Sequence, residues 1–173
     1  PSDHEVDGRL LSESDAIRAV LANRKLGSRL KQVTCTTIKS FRDIPNRKYT
    51  GIRYVHLGGH GGKTGLGFIG GSATWRDIAN KLIILFPRLS EGDQRILSLS
   101  CCYSEHGVKA MTPLLKGHFS AIYHFVPDKI GFSTAITTWS MFYLKKKLQR
   151  PHSAIVKEIN IFIGDDILHF VAL

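Results

Sequence analysis

Two short stretches of this chain carry side chains able to do covalent chemistry. One is Val55-His56-Leu57-Gly58-Gly59-His60-Gly61-Gly62-Lys63-Thr64; the other is Ile96-Leu97-Ser98-Leu99-Ser100-Cys101-Cys102-Tyr103-Ser104. A thiol placed where a parallel strand meets a helix projects into the cleft at the sheet's edge. Amide dipoles at the helix start favour negative charge there. A His at the tip of a neighbouring strand can take the thiol's proton, which is the Cys–His arrangement of nucleophilic catalysis. The same residues have a plainer reading, in which the cysteines pack as small hydrophobes and His60 is an ordinary loop residue. Periodicity and position alone leave both open. Side chains alternate along a strand, so Cys101 and Cys102 face opposite sides and only one can enter such a site.

Other chemistries fail on spacing. Gly62-Lys63-Thr64 looks like the end of a phosphate-binding loop, but that motif needs a glycine where Leu57 stands, and the following glycines prevent a helix from starting at Thr64. A nucleotide hydrolase is therefore set aside, and the glycines are read as allowing a sharp turn and a close backbone approach to substrate. His56 and His60 lie on a strand and loop, not on one helix face, and the cysteines are adjacent, so no four-ligand zinc spacing exists. No metal and no cofactor is expected. His56 is read as packed or hydrogen-bonded.

The elements that must position these groups are legible from periodicity and punctuation. Residues 12–25 read as a helix capped by Ser12 or Ser14, and 33–38 as a β-branched strand holding a buried Cys35. Residues 49–57 form a strand that ends in the glycine cluster, and 65–71 a short hairpin or loop. A helix over 73–86 has Trp75, Ile78, Ala79, Leu82, Ile83 and Phe86 at helical spacing. Residues 95–100 are a strand running into the cysteine pair, 108–115 a short helix and 119–126 a further strand. Helices at 132–148 and 153–162 precede an edge strand at 167–173. Trp75 and Trp139 are expected in the core, and Lys145, Lys146 and Lys147 at a solvated helix end. This alternation implies an α/β fold with a mostly parallel sheet covered on both faces. Its active groups should lie beyond the strands' C-terminal ends, where both loaded segments fall.

Composition bounds the function. The 173 residues suit one domain, with 43% hydrophobic and 22% charged residues arguing against disorder. No apolar run long enough for a membrane span is present, and the first residues carry no apolar signal core. The start at Pro1 without an initiator Met fits processing or excision from a longer chain. Three cysteines, two of them adjacent, cannot make a disulfide framework, so a reducing, cytoplasmic setting is expected. The balance of 24 Lys and Arg against 14 Asp and Glu gives +10. That charge can steer toward nucleic acid, anionic lipid or an acidic protein.

The motifs resemble those of caspase-like cysteine peptidases, and most closely the CHAT branch related to caspases and separases. That family has an apolar strand ending in His-x-x-Gly-His-Gly, then a strand ending in a small residue, Cys, any residue and Ser. This chain supplies His56-Leu57-Gly58-Gly59-His60-Gly61 and Cys101-Cys102-Tyr103-Ser104. A third stretch, Phe125-Val126-Pro127-Asp128 followed by a helix from Ala135 to Tyr143, is also similar. The likeness covers roughly residues 33–159, and three short motifs in order are more specific than any one of them. It departs at Cys101, where the family commonly has Ala or Ser.

The resemblance implies a three-layer caspase-like fold over residues 1–173, with helices on both faces of a mostly parallel central sheet. It implies that Cys102 is the nucleophile and His60 its partner in a dyad without a third member, and that the N–H groups of Gly61 and Cys102 form the oxyanion hole. Asp128 would recognise a basic side chain before the scissile bond, or else cap the helix that follows. Ser104 and His106 are further candidate substrate contacts, with a solvated helix start as the alternative for His106. A protein substrate is implied, with a regulatory subunit or fused sensor domain, in signalling or defence. The competing function is a catalytically silent basic module that grips nucleic acid or a protein partner. Against it, the sequence lacks the aromatic–basic interleaving of single-strand platforms.

Overall fold

The computed structural model describes residues 3–146 and 149–173, with side chains from residue 13 onward. The chain divides into two compact units, one of residues 1–34 and 130–168 and the other of residues 35–129 and 169–173. The second holds both chemically loaded segments. The architecture is α/β, with a mixed and mostly parallel four-stranded sheet and a smaller three-stranded one.

The four-stranded sheet has the order β1 (Tyr54–Gly58), β5 (Ile96–Ser100), β6 (Ala121–Phe125), β7 (Leu168–Ala172). The β1–β5 pair is parallel in the register Tyr54 with Ile96 through Gly58 with Ser100, and β5–β6 is parallel from Ile96 with Ala121. Every residue of β5 and β6 is buried. On β5 the alternation is sharp. Leu97, Leu99 and Cys101 belong to the hydrophobic core of this unit, while Ser98 and Ser100 lie on the other face. The second sheet is antiparallel: β2 (His60–Gly62), β3 (Gly65–Phe68) and β4 (Gly71–Thr74), joined first by a turn at Lys63 and Thr64. Sequence reading gave this stretch only a hairpin or loop, because so many glycines leave no side-chain alternation to read.

Two helices flank β5 in the chain. α3 (Trp75–Leu85) starts at a capping box in which the Thr74 hydroxyl accepts from the Asp77 N–H and the Asp77 carboxylate accepts from Thr74. Trp75, Ile78, Ala79 and Leu82 are buried, as the spacing predicts, and so is Phe86 at the end of α3; Leu85 joins them, while Ile83 is only half-buried. α4 (Ser104–Leu115) begins a turn earlier than expected and buries Val108, Met111 and Leu115.

Two strand expectations are corrected. Residues 33–38 form no strand beyond a single bridge from Thr37 to Ile69. Thr37 is instead the cap of the short helix α2 (Ile38–Arg42), its hydroxyl accepting from the Ser40 N–H at 3.0 Å. A local side-chain cap outcompetes β propensity here. Cys35 is therefore half-buried in an irregular segment, and burial pushes its thiol upward. The strand expected over 49–57 begins only at Tyr54, since Gly51 adopts φ +72°, which an extended strand does not accommodate.

The other unit contains α1 (Asp3–Asn23), α5 (Phe132–Lys145) and α6 (His152–Ile163). Trp139, Phe142, Ile155 and Ile159 are fully buried. Arg24 donates to the carbonyls of Tyr143 and Lys146 at 2.5 and 3.3 Å, satisfying acceptors that the end of α5 leaves open. The lysines here are not a solvated end. Lys145 pairs with Glu158 at 3.0 Å, and Lys146 is 2% exposed, donates to the Arg150 carbonyl and is pushed below the usual lysine range by burial. Lys147 lies outside the described residues.

Candidate active site

Strand pairing decides how the two loaded segments meet. The β1–β5 register ends with Gly58 beside Ser100, and the Gly59 N–H then donates to the Ser100 carbonyl at 3.1 Å. The same offset, continued past the end of the pairing, brings His60 level with Cys102. The contact is close. A Cβ added to Gly61 would lie 1.8 Å from the Cys102 carbonyl oxygen and 3.1 Å from the Cys101 Cβ. Only a residue without a side chain permits this approach.

The two thiols are unlike. Cys101 is 2% exposed and belongs to the core, whereas Cys102 is half-buried. The alternation that sends Leu97, Leu99 and Cys101 inward turns Cys102 away from the core. His60 is exposed at the first position of β2, where pairing with Gly67 fixes its backbone. No hydrogen bond joins its imidazole to the Cys102 thiol among the described residues. Such contacts are often long in free enzymes and tighten around substrate.

The turn beyond Cys102 is held under strain. Tyr103, the residue before α4, has φ 54° and ψ 24°, a left-handed conformation that costs a non-glycine residue roughly 1 kcal/mol or more. Its N–H donates to the Asp128 carbonyl at 2.8 Å, tying the end of β5 to the loop after β6. Ser104 completes the tie: its hydroxyl donates to the Phe125 carbonyl and accepts from the Phe125 N–H, both at 3.0 Å. Ser104 is fully buried, so its expected role as a substrate contact is corrected to that of a rivet between β6 and α4.

Asp128 keeps an exposed carboxylate next to this turn. The cap of α5 is Gly131, with no side-chain hydrogen bond, which removes helix capping as the account of Asp128. The carboxylate lies 4.0 Å from His106 Nε2, and the His106 ring sits edge-on to Tyr103. Tyr103, His106 and Asp128 thus form a polar cluster at the turn that follows Cys102. Sequence reading proposed the last two but not Tyr103, whose position follows from the strained turn.

The arrangement has a thiol between the end of β5 and the start of α4, an exposed His60 at the start of β2, and the Gly61 backbone pressed against that of Cys102. Among the described residues no group of three or more His, Cys, Asp or Glu side chains could hold a metal ion, and no helix is long and apolar enough to cross a membrane. In sequence, the chain matches no protein-family model and no curated protein.

Proposed function

We propose that this protein is a caspase-like cysteine endopeptidase that cleaves a protein partner through a Cys102–His60 dyad. The observation that carries the reading is the closure of Gly61 onto Cys102. It brings the backbone of Gly61 against that of Cys102, the two residues whose N–H groups this reading assigns to an oxyanion hole. The caspase-like resemblance, with its three-layer architecture, rests on the same two segments together with the stretch from Phe125 to Asp128 and the helix after it.

In this mechanism His60 takes the Cys102 proton as the sulfur attacks the substrate carbonyl. The N–H groups of Gly61 and Cys102 stabilise the oxyanion. His60 returns the proton to the departing amine as the C–N bond breaks, leaving a thioester. Water, deprotonated by His60, then releases the acid and restores the thiol. Asp128, exposed beside the thiol turn, recognises a basic side chain before the scissile bond. The reading includes control by a partner or signal that completes the dyad.

Cleavage of fluorescence-quenched peptides, followed by mass spectrometry of a thiol-reactive peptide electrophile, tests the proposal. Cys102→Ala and His60→Ala should each lose turnover by at least about 10³-fold while the thermal midpoint stays close to that of the parent. Full proteolysis by Cys102→Ala with Cys101 intact would refute it. The second reading, a silent binding module, is favoured by the net charge of +10. It predicts no labelling of Cys102 together with salt-sensitive binding.

A further inference from the structure

The stretch from α2 to β1 carries charge with almost no counter-charge. Residues 38–58 hold five cations, Lys39, Arg42, Arg47, Lys48 and Arg53, and one carboxylate, Asp43. Lys39 and Asp43 pair with each other one turn apart. Arg42, Arg47, Lys48 and Arg53 are exposed and in no ion pair among the described residues. Asp77 feels the charge of Arg42, but its carboxylate turns back to the N–H and hydroxyl of Thr74.

The fold turns these four side chains outward. Phe41 is buried, and Ile44, Tyr49 and Ile52 pack against the same core, so Arg42, Lys48 and Arg53 each sit beside a residue that faces in. The backbone is pinned to α3. Lys81 Nζ donates to the carbonyls of Arg42 and Ile44 at 3.2 and 2.9 Å and to Asn46 Oδ1 at 3.2 Å, and the Tyr49 N–H donates to the Leu85 carbonyl at 2.7 Å. The chain under the cations is thus ordered before a ligand arrives, which lowers the entropy lost on capture. Arg53 precedes the first residue of β1 and the Cys102–His60 site lies past its last. The two are separated by the length of that strand, roughly 17 Å.

The kind of partner follows from what this surface lacks. A stable protein interface has an apolar centre inside its polar rim, and here the apolar side chains of the segment are spent on the core. Tyr49 packs on Phe86 with ring centroids 5.8 Å apart, and the Arg47 guanidinium lies 6.0 Å from its centroid, so Tyr49 is no platform for a stacked base. What faces outward is charge, with Arg at three of the four positions. That suits phosphates contacted for their charge and not for their sequence, and a duplex supplies one negative charge per about 1.7 Å of axis. We propose that Arg42, Arg47, Lys48 and Arg53 form a docking surface for duplex nucleic acid, engaged through its phosphates and independent of the protease reading. Capture at this end leaves Cys102 and His60 open.

Fluorescence anisotropy of a short labelled duplex of mixed sequence, titrated with the protein at several salt concentrations, tests this. Log affinity should fall linearly with log salt with a slope of about −3 to −4, close to one for each phosphate neutralised. Arg42→Gln/Arg47→Gln/Lys48→Gln/Arg53→Gln should flatten that slope by about one per residue and weaken binding at low salt by at least about tenfold. Lys63→Gln/Arg76→Gln/Lys116→Gln/Lys157→Gln removes the same net charge from elsewhere and should bind nearly as the parent does. If circular dichroism shows that the first variant fails to fold, Arg47→Gln/Lys48→Gln should flatten the slope by about two. Equal losses from both fourfold variants overturn the surface, because net charge alone would then account for binding. A labelled poly-glutamate peptide that binds more tightly than the duplex through the same four residues overturns the nucleic-acid assignment in favour of an acidic protein. A single strand held more tightly than the duplex overturns the duplex assignment, and no binding at low salt overturns the proposal outright. Labelling of Cys102 by the peptide electrophile should be the same with the duplex bound; blocked labelling overturns the separation of the two sites. A chain that binds the duplex through these residues and never labels keeps the surface and refutes the protease.

Discussion

The two ends of β5 treat polar groups in opposite ways. At its start, just before Ile96, Arg95 is 5% exposed and makes no ion pair among the described residues, with Asp93 its one electrostatic partner among them. Three backbone carbonyls enclose it: Ile52 at 3.0 Å, and Pro87 and His118 at 2.8 Å each. The rings of Phe86 and Phe119 flank it at 5.6 and 5.8 Å. Burial lowers its affinity for the proton, and Nε and Nη1 supply the three hydrogen bonds to these carbonyls. At the far end Cys102 is half-buried, His60 is exposed, Tyr103 is strained, and His106 stands at the limit of contact with Asp128. One end spends its polar groups on its own backbone. The other keeps them available, as expected where parallel strands present their C-terminal ends to a ligand.

The sharpest way to break this contrast is Gly61→Ala. The new methyl group would sit 1.8 Å from a backbone carbonyl, which cannot rotate aside as a flexible side chain would. The two backbones must separate, and with them the N–H pair that the protease reading assigns to the oxyanion hole. Turnover should fall by about 10²–10³, the usual loss when an oxyanion donor is removed. The unfolding free energy from urea denaturation should drop only modestly, by the roughly 1–3 kcal/mol of an overpacked site. Wild-type turnover in this variant would mean that the Gly61–Cys102 approach plays no part in the chemistry.

Arg95→Met probes the opposite end. Removing the guanidinium leaves three carbonyl acceptors short of a donor in a buried place, at about 1–3 kcal/mol for each that water cannot reach. Partial rescue by packing of the Met side chain sets the expected loss near 3 kcal/mol in equilibrium urea denaturation. The folded fraction should still label at Cys102. A variant as stable as the parent would show that the carbonyl cage contributes nothing.

The contrast also explains what the sequence could reveal. The alternation Leu97, Leu99, Cys101 against Ser98, Ser100, Cys102 is a period-2 signal, and it already turns one thiol inward and the other out. Helices with a repeating apolar face, such as Trp75 to Leu85, were equally open to reading. Three things were not. The Thr37 cap disguises a helix start as a strand, since β-branched residues serve both. The glycines between His60 and Gly71 pair as strands through backbone alone, leaving no pattern of side chains. Ser104 looks like a motif residue facing substrate, but its hydroxyl is consumed by Phe125, a partner distant in sequence. The basic segment before β1 is of the same kind: Arg42, Arg47, Lys48 and Arg53 are ordinary charges until the fold turns their apolar neighbours inward.

The smallest expected effect tests the open end on its own terms. Glu105 and Lys109 form an exposed pair one turn apart on α4, and Lys109 holds the Glu105 carboxyl below the usual carboxylate range. At neutral pH the pair is therefore formed. Exposed pairs of this spacing add little to stability, because water and salt screen them and two long side chains must be held still. Glu105→Gln should leave the denaturation midpoint within experimental scatter. A stability loss as large as that of Arg95→Met would erase the distinction between the two ends.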